Sequence, residues 1–138
     1  MEDTIIVIML KNKNTGFLEK ELASLDITEN ADYIVNIFAA DEEEGRKLHI
    51  KLSTKKDVAD WEYSAIYDYY DTDCFNGLGQ VIDADDDYNP VWEVVIDYDD
   101  DIAVLEEKTA EILAAHKKEI EDVFETIKDK ESEYKDGE

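Results

Sequence analysis

The stretch from 102 to about 130 constrains the fold more than any other part of the chain. Leu105, Thr109, Ile112, Leu113, His116, Ile120, Val123, Phe124 and Ile127 recur at intervals of three and four, and most positions between them are charged. That spacing predicts one long helix with a single apolar stripe. Such a helix draws most of its stability from burying the stripe, so the rest of the chain must supply an apolar surface about as long. A sheet with one apolar face is the expected partner.

Strand patterns are plentiful before it. Residues 4–10, Thr-Ile-Ile-Val-Ile-Met-Leu, are β-branched and apolar and read as a buried strand. Lys11 to Gly16 is turn chemistry, so 17–27 is expected to return as a hairpin strand, although Leu18, Leu22 and Leu25 also fit a short helix. Residues 33–38 form a third strand. The polar turn Asp41-Glu-Glu-Glu-Gly45 leads into 47–52, where Leu48, Ile50 and Leu52 alternate with Lys47, His49 and Lys51. Two more strands are expected at 80–85 and 91–98, with the chain's single proline, Pro90, at the start of the second.

Between these blocks, Val58, Trp61, Ala65, Ile66, Tyr69 and Tyr70 follow helical spacing, with Ser53 or Thr54 as the expected cap and Asp57 near the helix start. A helix over 55–70 is preferred. The rival is a strand with Trp61, Tyr63, Ala65, Tyr67 and Tyr69 on one face. Strands and helices come in blocks without βαβ alternation, which predicts an α+β fold. Its mainly antiparallel sheet has about six strands, a mid-chain helix and the long C-terminal helix packed on it. A chain of 138 residues suits one domain, over 1–130, with a frayed tail at 131–138.

The charge is equally informative. The formal net charge is −24, from 38 acids and 14 bases. Residues 57–107 carry 17 acids and no Lys or Arg, whereas the flanking segments are nearly balanced. Nucleic acid as a direct ligand and anionic membrane surfaces both need clustered cations, so this field disfavours them. Basic proteins or metal cations are what it would attract. Trp61, Tyr63, Tyr67, Tyr69, Tyr70, Phe75, Tyr88, Trp92 and Tyr98 lie in the same base-free stretch, and aromatic side chains enrich protein interfaces. Tyr67, Asp68, Tyr70, Asp71, Asp73, Asp86, Asp87 and Tyr88 are therefore the candidate partner-binding residues, suited to a basic protein through ion pairs and cation–π contacts.

Asp83, Asp85 and Asp87 recur at a spacing of two, as do Asp97, Asp99 and Asp101. Hard cations take several carboxylate oxygens, so these six are candidate ligands for Ca2+ or Mg2+. Neither run is an EF-hand loop: the glycine position holds Tyr88 or Ile102, and the final position holds Val94 or Lys108. The other motifs carry little. Asp83-x-Asp85 after two apolar residues lacks the cations that phosphoryl transfer needs. His49 falls on the polar face of its strand and His116 on an apolar stripe. Cys74 is flanked by acids that raise a thiol's pKa and oppose thiolate chemistry. Gly77-x-Gly79 lacks the third glycine of a dinucleotide fingerprint.

A single cysteine permits no internal disulfide and suits a reducing compartment. The chain opens Met1-Glu2-Asp3, and its N-terminal apolar run is short for a secretory signal. A cytoplasmic protein is expected. Asp60-Trp-Glu, Ala65-Ile-Tyr-Asp-Tyr-Tyr-Asp71 and Tyr88-Asn-Pro-Val-Trp-Glu93 resemble small acidic proteins of unknown function from anaerobic Gram-positive bacteria. The resemblance carries no activity and no site. The 13 Lys to one Arg also fit an AT-rich bacterial source. The leading functional expectation is a non-enzymatic protein-binding or regulatory module. One version of it is a nucleic-acid mimic, which needs dense carboxylates to match about one charge per 1.7 Å of duplex. The alternative is a divalent-cation-binding domain using the acids between Asp83 and Asp101.

Overall fold

The computed structural model describes residues 4–12, 14–55, 57–82 and 89–135. Strands β1 (Thr4–Lys11), β2 (Leu18–Ile27), β3 (Ile34–Glu42), β4 (Gly45–Leu52), β5 (Gln80–Ile82) and β6 (Trp92–Asp97) form one sheet in the order β2-β1-β3-β4-β6-β5. Every pairing is antiparallel except β1 with β3, which run parallel and pair only at Met9–Phe38 and Leu10–Ala39. Helix α1 (Asp60–Tyr69) lies mid-chain, α2 (Ile102–Ile127) follows the last strand, and single 3-10 turns occupy Ala31–Tyr33 and Thr72–Phe75. The expected α+β architecture is the one observed.

One face of the sheet is the core. Ile8, Leu25, Ile27, Ile37, Ala39, Leu48, Ile50, Leu52, Trp92, Val94 and Ile96 meet the α2 stripe there. On that stripe Leu105, Ile112, Leu113, Ile120, Val123 and Ile127 are almost wholly removed from water. Each such side chain contributes roughly 1.5–3 kcal/mol of burial. Asp101 starts α2 in the way expected of an N-cap, its Oδ1 accepting from the Ala103 N–H at 3.0 Å.

The expected return strand is β2, in which Leu18, Leu22 and Leu25 lie beside β1. Other expectations need correction. The apolar run of β1 is only half buried: Ile8 is in the core, but Ile5 and Val7 are exposed on the opposite face. The mid-chain helix begins at Asp60, not near 55. Ser53 and Thr54 do not cap it, because both are buried and the Ser53 hydroxyl donates to the Pro90 carbonyl at 2.6 Å. Instead Glu62 reaches back to the Ala59 N–H at 2.9 Å. Residues 131–135, the start of the expected tail, form a short helix α3 (Glu131–Lys135) whose Tyr134 hydroxyl donates to Asp68 at 2.7 Å.

Gly79 precedes β5 because a Cβ there would lie 2.7 Å from Val94 and 2.8 Å from Ile96. Thr109 presents the opposite case in the middle of the α2 stripe. Fully buried, its Oγ1 is the one buried side-chain polar atom without a hydrogen-bond partner among the described residues. A buried unpaired hydroxyl costs roughly 1–3 kcal/mol. Thr109→Val, which keeps the branched shape, should therefore stabilise the fold by about 1 kcal/mol. A rise in the urea midpoint at unchanged m-value checks this, and a fall would mean that the hydroxyl is satisfied.

Candidate functional site

Helix α1 and the 3-10 turn after it carry the base-free surface. Asp60, Tyr67, Asp68, Tyr69, Asp71 and Asp73 are exposed there. Tyr67 is anchored from below, donating to the Val91 carbonyl at 3.3 Å and accepting from the Val91 N–H at 3.0 Å. The Asp71 side chain accepts from the Asp73 N–H and so caps the turn. Lys130, from beyond the end of α2, places its ammonium 5.4 Å from the Tyr69 ring centroid. Tyr70 does not share this surface. Helix α1 ends at Tyr69, and Tyr70 turns inward to 8% exposure, stacked on Trp92 with centroids 4.1 Å apart. Asp86, Asp87 and Tyr88 lie outside the described residues.

A directed chain of hydrogen bonds runs beneath. The Ser53 carbonyl can only accept, so His116 donates to it from Nε2 at 2.7 Å. Its Nδ1 then accepts the Tyr70 hydroxyl proton at 2.7 Å, and the Cys74 thiol, 3.7 Å away, donates to the Tyr70 oxygen. The chain thus runs from the half-buried Cys74 thiol to the Ser53 carbonyl. Burial pushes the Cys74 thiol up, with Glu119 and Asp71 adding to the effect. Tyr70 stands between Cys74 and His116, which leaves no nucleophile pair.

The metal candidates are engaged locally where they are described. Asp97 pairs with Lys47, Asp99 accepts from the Asp101 N–H at 2.8 Å, and Asp101 caps α2. Asp83, Asp85 and Asp87 lie outside the described residues. Among the described residues no group of three or more His, Cys, Asp or Glu side chains is placed to hold a metal ion.

The sheet face opposite α2 holds a cluster that sequence reasoning passed over. Strand alternation sends Lys47, His49 and Lys51 of β4 to this face, as expected. Antiparallel register sets Lys51 opposite Glu93 and Lys47 opposite Asp97. His49 is not a solvated residue: it is 9% exposed and stacked on Phe38 with centroids 4.9 Å apart and planes 7° off parallel. Its Nδ1 meets Glu93 at 2.6 Å and its Nε2 meets Glu42 at 2.7 Å. An open depression of about 800 Å³ lies over the group, bordered by Lys11, Lys47, Lys51 and Gln80. The only sequence signal was a His alternating with two Lys; its partner Glu93 is 44 residues away and is supplied by register alone.

The family of unknown function DUF6762 matches residues 1–135. The chain belongs to this family. No curated protein and no solved structure matches it. No helix among the described residues is long and apolar enough to cross a membrane.

The buried histidine gives this family member a definite acid response. Burial holds His116 down to about 4, against an ordinary value near 6.5. The unfolded chain therefore binds a proton that the folded chain refuses. Stability from this group is complete above about pH 6.5 and is lost as pH falls toward 4, by about 3 kcal/mol in all. In His116→Gln the decline across that interval should be shallower by this amount, measured by denaturant melts at stepped pH. Parallel profiles for the two proteins would contradict the assignment.

Proposed function

We propose that this chain is a non-enzymatic binding module that docks a basic protein segment on the surface of α1 and the following 3-10 turn. The observation that carries the reading is the Lys130–Tyr69 contact: an ammonium already rests against an exposed ring of this surface. Tyr67, 42% exposed, and Tyr69, 41% exposed, stand among Asp60, Asp68, Asp71 and Asp73, and residues 57–82 contain no Lys or Arg. An incoming lysine or arginine meets carboxylates and ring faces together; the segment itself supplies no competing base, and at Tyr69 the newcomer displaces Lys130, which keeps Glu133 as its partner at 3.7 Å. The outward face of α2 is acidic too, but Lys108, Lys117 and Lys118 interrupt it. Cation–π contacts at exposed sites contribute about 0.5–1 kcal/mol each, so the tyrosines supply the selectivity and the carboxylates the encounter rate.

The test is an NMR titration with a Lys/Arg-rich peptide of about 15 residues. At moderate salt, amide shifts should concentrate at 60–73, and Tyr69→Ala should weaken binding about two- to fivefold, the equivalent of one exposed cation–π contact. Shifts spread evenly over 60–73 and the outward face of α2, with Tyr69→Ala silent, would mean that the peptide follows bulk charge and that this surface is no site.

A further inference from the structure

A neutral imidazole offers one N–H and one lone pair, whereas an ionised carboxylate only accepts. His49 nevertheless meets a carboxylate oxygen at each ring nitrogen, at 2.6 and 2.7 Å. Both bonds form only if both ring nitrogens carry protons, or if one carboxyl does. Either way, the cluster holds one proton more than a neutral ring between two carboxylates.

Its two sides are unequal. The Glu93 side chain is 9% exposed and lies in the middle of β6, with the Lys51 ammonium 3.9 Å from its other oxygen. The Glu42 side chain is 43% exposed, and Glu42 is the last residue of β3, beside the Glu43-Glu44 turn. We propose that Glu42, His49 and Glu93 form a proton-operated latch, which holds the Glu42 side chain across the open sheet face when protonated and releases it when the extra proton leaves.

The direction of release follows from burial. Glu93 has little water to turn to and keeps the Nδ1–H. The proton departs from Nε2, whose lone pair then faces the Glu42 carboxylate at hydrogen-bond distance, and the two repel. Glu42 has solvent beside it and swings out. What it uncovers is a neutral imidazole with Nε2 as an acceptor, Nδ1–H fixed on a buried carboxylate, at the floor of the depression.

The charged groups around the ring come from every adjoining strand. On β4 they are Lys47 and Lys51, the first paired with Asp97 of β6 and 3.8 Å from Glu44. On β3, Asp41 is bonded to Arg46 at 2.7 Å, which ties the turn from its other side. From β1, Lys11 sits 4.9 Å from the centroid of Phe38, the ring stacked on His49.

The test follows imidazole nitrogen shifts and the backbone amides of 41–45 by NMR from about pH 5.5 to about pH 9, where histidines titrate and ordinary carboxylates and lysines do not. The chain has two histidines, and His116, held near 4, is silent in this window. The His49 ring and the turn should change together, ending with Nε2 unprotonated. Glu42→Gln should abolish the turn's titration, because an amide can donate to the Nε2 lone pair and stay in place. A turn that is flat across the window in the wild type, or one that still titrates in Glu42→Gln, would overturn the latch.

Discussion

The hydrogen bond from His116 to the Ser53 carbonyl is the point on which the arrangement of elements depends. Ser53 directly follows β4 and makes three bonds: its N–H to the Tyr33 carbonyl at 2.9 Å, its hydroxyl to Pro90, and its carbonyl to His116. The same imidazole accepts from Tyr70, just past α1. Tyr33 meets it edge-on at 5.0 Å, and Trp92 and Tyr70 lie at 5.4 and 5.7 Å. One side chain of α2 thereby joins the end of β4, the turn before β3, the start of β6 and the end of α1. A leucine at position 116 would fill the space but leave the Ser53 carbonyl without its donor and the Tyr70 hydroxyl without its imidazole acceptor.

The two histidines illustrate how environment assigns opposite roles to one chemistry. His116 is buried among aromatic rings, and that loss of water favours the neutral form against the opposing pull of the Ser53 carbonyl. His49 sits between carboxylates, which require an added proton if both bonds are to hold. The first secures the covered face of the sheet. The second lies on the opposite face, beside Phe38 and the charged side chains of β1, β3, β4 and β6.

Periodicity made much of this legible and register made the rest invisible. The α2 stripe and the alternation of β4 were readable because one face of each is uniformly apolar, and Leu105 to Ile127 are buried as their spacing required. Residues 17–27 were ambiguous because three leucines at helical intervals also fit a bulged strand; pairing with β1 decided between them. Tyr70 followed the same helical spacing as Tyr69, yet the helix stops between them and only one reaches the surface. His49 and Glu93 carried no mutual signal, since nothing local sets which residue of β6 lies beside β4. The localisation of charge survives as a spatial fact on α1 and its 3-10 turn, while the described aspartates at 97, 99 and 101 serve a lysine and two backbone N–H groups.

Native-state hydrogen exchange tests the central role of His116 most directly. If the bonds through Ser53, His116 and Tyr70 unite the elements, amides in α1 should open with the same free energy as those in α2 and β4, in one cooperative unit. Exchange of α1 at much lower free energy, while α2 and β4 stay protected, would contradict the account and make the mid-chain helix an independent attachment to the sheet.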